Sequence, residues 1–454
     1  MINNPTKKIG FLMLLTSLLA FMACKEQSTT SVDSSAGYIQ DASNPDHLHA
    51  ALKQLTDVIV EDIFSPPVAS RIYAYACIAA YEPLVHGQPG YVSMAGQLKG
   101  LESMPQPEAD LDYCYPLAST KAFLETGKAL IFSEHIMDDY EKDLMEKYKA
   151  MGIPQAVYDR SMEYGKAVSK HILSWADSDM YKETRTYPKY SIPEDVTKWT
   201  PTPPDYMDGI EPHWMLIRPM ILDSAKQFVP PPPTPFNMDK NSQFYKELME
   251  VYLAVKDATK DQLAIAEFWD CNPFVSHHKG HAMFATKKIT PGGHWMGIAY
   301  IASRKKKADL MQTAVAYALT SISLFDGFIS CWDEKYRSNL VRPETVINRK
   351  LDEDWSPHLQ TPPFPEYTSG HSVISSAAAI TLTSIYGDNF DFVDSTEVEY
   401  GLPSRSFNSF IQASEEAAVS RLYGGIHYRP AIDLGVKQGR AIGQLVVDRV
   451  KVKK

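Results

Sequence analysis

The stretch that decides the fold runs from residue 308 to residue 329 and reads ADLMQTAVAYALTSISLFDGFI. It is apolar on nearly all sides and contains no proline, so it predicts a helix that is buried all round. Apolar residues recur at helical spacing in seven further stretches: 50–63, 68–81, 118–131, 157–175, 244–255, 369–386 and 409–422. Alternating apolar and polar runs, which would indicate strands, are scarce. The pattern therefore predicts an all-α fold of two stacked helical bundles with few or no strands.

Prolines divide the chain between these bundles. Residues 188–235 are rich in proline and end in PPPPTP at 230–235, which cannot continue a helix. Interleaved large side chains in this segment favour an ordered crossover that packs, and a solvated linker is the alternative; they are Trp199, Tyr206, Trp214, Met215 and Ile217. The prediction is an N-terminal helical half at 46–187 and a C-terminal helical half at 236–454. The core of the second half is expected at about 308–446.

Overall composition excludes one class of partner. The 454 residues include 55 acidic and 45 basic side chains, which gives a net charge of −10. A protein that binds nucleic acid needs clustered Lys and Arg, and no basic tail is present. Aromatic residues make up 11% of the chain, which argues against disorder outside the ends. We therefore expect a globular protein that does not bind nucleic acid.

The first 24 residues predict a lipid anchor. Lys7 and Lys8 precede an apolar segment at 9–20, and Cys24 follows a small residue. This resembles a bacterial lipoprotein signal peptide, which implies that Cys24 becomes the lipidated first residue. An uncleaved anchor is the alternative, but about 14 apolar residues are fewer than the roughly 20 that span a bilayer. The expectation is an extracytoplasmic protein that contacts the membrane only through lipid, with residues 25–45 as a flexible tether.

Four other cysteines and two side-chain groups have simpler interpretations. Cys77, Cys114, Cys271 and Cys331 lack the spacing of a metal motif, so buried free thiols are expected. His277, His278 and His281 lie beside Lys279 without a carboxylate at helix-face spacing, which indicates a solvated loop. Tyr73, Tyr75 and Tyr81 have helical spacing, which is typical of core residues.

Three segments of the second half indicate an anion site, and the first is KYRSNLVRP at 335–343. Lys335 and Arg342 are seven residues apart, nearly two helical turns, so both fall on one face if the helix persists to Pro343. Like charges on one face repel, and solvent or a bound anion must separate them. Surface exposure is the simpler interpretation of this segment alone.

The second segment, FPEYTSGH at 364–371, leads directly into a helix. A helix N-terminus offers unpaired N–H groups to an oxyanion. Gly370 allows close approach of the backbone, Ser369 adds a hydroxyl donor, and His371 can move a proton near neutral pH. The alternative is that Ser369 only caps the helix and His371 is an ordinary first-turn residue.

The third segment, SRLYGGIH at 420–427, carries Arg421 on a helix that two glycines interrupt. The break redirects the chain, so His427 can reach the same ligand as Arg421. A histidine that binds the last carbonyls of the helix is the alternative.

Together these segments carry a family resemblance over about the last third of the chain, from Lys335 to Asp433. The order Lys-x6-Arg-Pro, Ser-Gly-His and Ser-Arg-x5-His resembles the signature of the superfamily of vanadium-dependent haloperoxidases and type 2 phosphatidic acid phosphatases. The resemblance implies a cradle for vanadate or phosphate formed by Lys335, Arg342, Ser369, Gly370 and Arg421. It also implies that His427 bonds axially to vanadium or phosphorus and that His371 is the acid–base on the opposite face.

Two aromatic residues favour the haloperoxidase branch. Trp332 and Phe364 stand where chloroperoxidase-like members place the side chains of the halide pocket. The implied activity is oxidation of halide by hydrogen peroxide to hypohalous acid, with vanadate as cofactor and Lys335 polarising the peroxide. An acidic residue near Asp270 is expected to brace an arginine of the cradle. In this family a carboxylate that orients the axial histidine usually follows it by four residues, whereas Asp433 follows His427 by six.

Two alternatives remain open at this point. An acid phosphatase would use His427 as a nucleophile that forms phosphohistidine, with His371 protonating the leaving alcohol. A surface lipoprotein that only binds oxyanions would need neither histidine.

Overall fold

The computed structural model describes Met1, residues 34–279 and residues 281–454. Cys24 and the signal segment lie outside the described residues. The N-terminal half is helical, and its helices are α1 Ser34–Ala42, α2 Asp46–Glu61, α3 Pro66–Gly87, α4 Tyr115–Lys128, α5 Glu134–Ala150, α6 Gln155–Ala176 and the short α7 Tyr181–Thr184. The four stretches predicted here correspond to α2, α3, α4 and α6. Helix α5 was missed because its surface is mostly charged and its apolar stripe is narrow.

The C-terminal half continues the helical architecture. Its helices are α8 Gln243–Lys256, α9 Lys260–Phe268, α10 Pro291–Lys306, α11 Leu310–Ser338, α12 Pro343–Lys350, α13 Gly370–Tyr386, α14 Phe410–Tyr423 and α15 Arg429–Arg449. Short 3-10 turns occur at Trp214–Leu216 and Val398–Tyr400. The all-α prediction is confirmed.

The strands in the described part of the chain form two short antiparallel pairs. Strand β1 Phe274–Lys279 pairs antiparallel with β2 Ala282–Lys287, and β3 Phe392–Asp394 pairs with β4 Arg405–Phe407. His277 and His278 therefore lie on a strand, and the predicted loop around them is wrong. The His277 ring pairs with the hydroxyl of Thr286 across the hairpin at 3.0 Å and has no part in the site described below.

Helix α11 is the centre of the molecule. Every residue from Thr313 to Lys335 is buried, because α3 of the first half and α13 of the second half both pack against the helix. The largest apolar cluster includes residues of both halves, so the two bundles share one core. Among the described residues, α11 alone has the length and apolar composition of a membrane span, and its most apolar 18-residue stretch is entirely buried inside the protein.

The last helix supports α13 at very short range. A Cβ atom on Gly439 would lie 2.0 Å from the carbonyl oxygen of Val373, and one on Gly443 would lie 2.5 Å from that of Ala377. These glycines let α15 approach the backbone of α13 directly, which fixes the position of the segment that begins at Gly370.

The structure corrects the predicted tether at 25–45 and shows how the proline-rich segment at 188–235 packs. The tether predicted at 25–45 is wrong over its described part, because residues 34–42 form α1 and the side chains of Tyr38 and Ala42 are buried. The proline-rich segment is packed along the site: Trp199 N–H donates to Asn339 O at 3.0 Å, and Ile210 N–H donates to Pro363 O at 3.0 Å. Trp199, Trp214 and Ile217 are buried, Met215 is half-buried, and Tyr206 is 63% exposed.

All four cysteines of the described chain are buried and unpaired, and the three tyrosines of α3 are in the core.

Candidate active site

The two cations of the first segment reach one site by a route that differs from the prediction. Helix α11 ends at Ser338, and Asn339 adopts a left-handed conformation with φ 51°, which turns the chain away from the helix axis. Arg342 is then the N-cap residue of α12. The helix therefore does not persist to Pro343, as a shared helix face would have required, but the turn directs Lys335 and Arg342 toward the same strip of backbone.

That strip is the segment 362–368, whose carbonyl groups face inward. Lys335 Nζ donates to the carbonyl oxygens of Pro365, Glu366 and Thr368 at 3.0, 3.1 and 2.6 Å. Its ammonium also lies 4.9 Å from the ring centroid of Phe364. Burial lowers the pKa of Lys335 to about 8. The lysine is therefore held in place, and its positive charge is poorly compensated by the protein.

Arg342 joins this strip to the third segment. Its Nε donates to Phe364 O at 2.9 Å, and its Nη1 donates to Ile426 O at 2.8 Å and to His427 Nε2 at 3.2 Å. Burial lowers the pKa of this guanidinium to about 10. Arg342 thus fixes the spacing between the two loops and marks Nε2 as the unprotonated nitrogen of His427.

Glu366, which the sequence analysis did not select, orients His427. Its Oε1 lies 2.8 Å from His427 Nδ1 and accepts the backbone N–H of Tyr428 at 2.9 Å. Because this oxygen already accepts a backbone N–H, Nδ1 of His427 carries a proton and donates it. Burial raises the pKa of Glu366 to about 7, against the opposing effect of Arg342 and Lys335. Asp433 is exposed, so it does not have the orienting role considered for it.

Arg421 enters the site from α14. A sharp turn follows the helix, where Gly425 has φ +77° and a Cβ atom would lie 2.6 Å from Val255, so the position requires glycine. Arg421 Nη2 donates to Trp269 O at 2.7 Å. Asp270 raises the pKa of Arg421 against the larger lowering effect of burial, but its carboxylate pairs with Lys288 at 3.0 Å. The direct brace expected from Asp270 is therefore replaced by the Trp269 carbonyl.

The second segment adds the start of α13. Ser369 is the N-cap, and its Oγ accepts the N–H of Ser372 at 3.3 Å, while its own hydroxyl hydrogen is still available to a ligand. Gly370 lines the cavity described below, and a Cβ atom there would approach Trp332 to 3.7 Å. His371 hydrogen-bonds to the backbone of Trp269, and its Nε2 has no partner among the described residues. Burial and the nearby Arg421 hold the pKa of His371 well below 6.5, so the ring is neutral.

A cavity of about 150 Å³ opens on these groups. Its wall is mostly apolar and includes Trp332, Phe364 and Ile210 beside the polar side chains of His371 and Arg421. The Trp332 and Phe364 rings lie 5.0 Å apart, and the indole N–H donates to Ile210 O at 3.1 Å. The proline-rich crossover thus completes the cavity and satisfies the indole nitrogen, which leaves an apolar ring face toward the site.

The arrangement fits a tetrahedral oxyanion. Lys335, Arg342 and Arg421 are 0%, 0% and 1% exposed, and none of the three forms a direct ion pair with a carboxylate within the described parts of the chain. Burial lowers the pKa of each cation, which shows that the protein alone stabilises these charges poorly. An anion between them would supply the missing charge and accept the guanidinium donors. The residues predicted from sequence therefore converge on one centre that suits vanadate or phosphate.

Several cavity residues had no signal in the sequence. Ile210 and Met207 come from the crossover, and Asn272 and Phe274 follow α9, where neither periodicity nor a motif marks them. Glu366 did carry a signal, since it is the only charged residue in the quoted segment FPEYTSG before His371.

Comparisons with known proteins place this site in a family. The model of the VCPO second helical-bundle domain matches residues 315–453. A crystal structure described as the first bacterial vanadium-dependent iodoperoxidase has 50% sequence identity and a TM-score of 0.87, covering 91% of this chain and 98% of that chain. The holo and apo forms of a bacterial vanadium-dependent chloroperoxidase share the fold.

The holo chloroperoxidase has 17% identity and a TM-score of 0.65, covering 85% of this chain and 93% of that chain. The apo form has 16% identity and a TM-score of 0.63, covering 85% and 94%. No curated protein matched the chain. A sequence identity of 50% over nearly all of both chains indicates a common family and not only a shared fold. The chain belongs to the vanadium-dependent haloperoxidase family.

Proposed function

We propose that the protein oxidises iodide with hydrogen peroxide, using vanadate as its cofactor. The observation that carries the proposal is a cage of three buried cations and an unprotonated His427 Nε2 that opens on an apolar cavity containing a neutral His371. The similar structure with 50% identity is that of an iodoperoxidase, which favours iodide over the other halides.

Lys335, Arg342 and Arg421 would hold vanadate through its oxygens, and His427 Nε2 would bind the vanadium atom. When bound, vanadate supplies a Lewis-acid centre that activates hydrogen peroxide toward a halide. Lys335, Arg342 and Arg421 bind and neutralise the oxyanion. Glu366 keeps the proton on His427 Nδ1, so the lone pair of Nε2 faces the site.

His371 accepts a proton in this mechanism. The residue lines the cavity, its Nε2 has no hydrogen-bond partner in the described part of the chain, and its low pKa keeps it unprotonated at neutral pH. A neutral imidazole suits removal of a proton from hydrogen peroxide. The same low pKa disfavours the phosphatase alternative, because a phosphatase needs His371 protonated to donate to the leaving alcohol.

The aromatic wall excludes water from the halide. Trp332 and Phe364 line the cavity, and the indole N–H is already bonded to Ile210 O. Iodide is large, polarisable and weakly hydrated, so its transfer to such a wall costs less than that of smaller halides. We infer that these rings set halide preference.

A vanadate titration tests the function. Vanadate-free protein should gain peroxide-dependent iodide oxidation as vanadate is added, and phosphate should compete with this activation. Arg421→Ala is the matched control, because it keeps the cavity rings but loses a cage donor and should need far more vanadate. A preparation that never oxidises halide, yet hydrolyses p-nitrophenyl phosphate and is inhibited by vanadate, would be a phosphatase.

We also propose that the chain is held outside the cytoplasm by lipid on Cys24. The support is the sequence of residues 1–24, with Lys7 and Lys8 before an apolar segment and a small residue before the cysteine.

A further inference from the structure

A second buried cluster adjoins the cavity through Cys271, which lines it, and shares no residue with the anion cage. Cys271 follows α9, His294 is in the first turn of α10, and Glu397 is in the loop between β3 and β4. These side chains come from three separate elements and are 1%, 0% and 0% exposed. Their potential ligand atoms all lie within 4.8 Å of one another.

The distances between the potential ligand atoms of this cluster are close to those expected around one bound ion. Cys271 Sγ lies 3.3 Å from His294 Nδ1, His294 Nδ1 lies 3.0 Å from Glu397 Oε1, and Cys271 Sγ lies 3.8 Å from the same oxygen. Tetrahedral zinc bonds of about 2.3 Å to sulfur and about 2.0 to 2.1 Å to nitrogen or oxygen would place neighbouring ligand atoms roughly 3.3 to 3.6 Å apart. The observed separations bracket that range.

A carboxylate outside the cluster orients the imidazole. Asp394 Oδ2 lies 2.8 Å from His294 Nε2, and Asp394 Oδ1 accepts the backbone N–H and the hydroxyl of Thr396 at 3.0 and 2.6 Å. With Asp394 fixed in this way, the Nε2 proton is held and Nδ1 points at Cys271 and Glu397. A carboxylate on the far nitrogen is the usual partner of a histidine that binds a metal.

One atom of the cluster is left without a partner by the protein. Glu397 Oε2 is buried and makes no hydrogen bond within the described parts of the chain. A buried carboxylate oxygen is costly to leave unpaired, and a cation at the centre of the cluster would pair it. The alternative is a protonated His294 between Asp394 and Glu397, but that arrangement still leaves Oε2 alone.

We propose that Cys271, His294 and Glu397 form a zinc site, with Asp394 as a positioning residue. Mixed sulfur, nitrogen and oxygen ligands suit zinc rather than the hard cations calcium and magnesium. The fourth ligand is the second oxygen of Glu397 or a water molecule.

The site would stabilise the wall of the anion cage. The Trp269 ring stacks on His294 with centroids 4.6 Å apart, and the Trp269 carbonyl accepts Arg421 Nη2. Zinc at Cys271 would tie this segment to α10 and to the β3–β4 loop. Its role is therefore structural, and its presence does not depend on the proposed halide chemistry.

Metal content and a cobalt spectrum test the proposal. Untagged full-length protein, purified without chelator, should contain one zinc per chain by plasma mass spectrometry. Replacement by Co²⁺ should give tetrahedral d–d bands and a sulfur-to-cobalt charge-transfer band. Cys271→Ser should lose that band and bind zinc at least about 100-fold more weakly, and Asp394→Asn about 10- to 100-fold more weakly. Cys77→Ser, another buried thiol without such neighbours, should keep the zinc and the spectrum.

Three results would overturn the proposal. One is folded wild-type protein that holds no zinc and binds neither Zn²⁺ nor Co²⁺ when these are added. Another is a cobalt complex without the charge-transfer band, which wild type alone can reveal even if the variants do not fold. The third is equal zinc affinity in wild type, Cys271→Ser and Glu397→Gln. Vanadium content and iodide oxidation are measured separately, so none of these results bears on the proposed function.

Discussion

Lys335 should make vanadate binding depend on pH in a way that a neutral variant does not share. Its ammonium is buried against three carbonyl oxygens, and its pKa is lowered from 10.5 to about 8. The shift corresponds to about 3 kcal/mol of folding stability, which the vanadate-free protein loses because the buried lysine is protonated. Because the folded pKa is below the unfolded one, this cost is complete below pH 8 and fades between pH 8 and 10.5. An anion at the ammonium removes the cost, so binding should favour the protonated lysine.

The size of the effect follows from the protonated fraction. With a pKa of about 8, Lys335 is roughly nine-tenths protonated at pH 7 and roughly one-tenth protonated at pH 9. If only the protonated form binds tightly, the apparent Kd rises about tenfold over this interval, or about 1.4 kcal/mol. Lys335→Gln keeps a donor for the carbonyl oxygens and cannot titrate.

The assay is isothermal titration of vanadate into both proteins at pH 7, 8 and 9. Vanadate itself changes protonation in this range, but both proteins meet the same ligand, so the ratio of their Kd values isolates the lysine. We expect the advantage of wild type over Lys335→Gln to shrink about tenfold from pH 7 to pH 9. A ratio that stays constant would show that the lysine does not titrate here and that the burial argument is wrong.

Four further variants test the other assignments. His371→Ala should keep vanadate bound while kcat/KM for peroxide falls roughly 10²- to 10⁴-fold, whereas Arg421→Ala should weaken vanadate binding, and the opposite pattern would reverse the two roles. Phe364→Ala should change the ratio of iodide to bromide oxidation, because its ring lines the cavity; an unchanged ratio would exclude it from halide selection. Cys24→Ala should lose incorporation of radioactive fatty acid, and label that persists on this variant would contradict the lipoprotein prediction.

The sequence predicts many of the helices that bury an apolar face, but not α10 or α15, although both have buried residues. The apolar run at 308–329 covers the N-terminal part of α11 up to Ile329, and the helix starts at Gly370 and Phe410 lie within one residue of the predicted starts. Helix α5 is charged over most of its surface, so its periodicity was too weak to detect. The described half of the predicted tether forms α1 because Tyr38 and Ala42 find apolar neighbours that a composition argument cannot see.

The site was predictable in its members but not in its contacts. Lys335 and Arg342 were paired by helical spacing, yet the left-handed Asn339 ends the helix and a turn brings them together. A carboxylate was sought after His427, while Glu366 reaches it from the opposite direction in sequence at 2.8 Å. Such a contact depends on how two loops meet in space, and a single sequence contains no measure of that distance.

The protonation states of the two site histidines indicate which chemistry the shared cage supports. His427 presents an unprotonated Nε2, which suits either a ligand to vanadium or a nucleophile toward phosphorus. His371 distinguishes the two, because a phosphatase requires it as an acid and a peroxidase requires it as a base. Burial is the largest cause of its low pKa, and burial persists when an anion fills the cage and offsets the charge of Arg421. The proton affinity of this one side chain, set by an apolar wall, therefore favours removal of a proton from peroxide over donation to an alcohol.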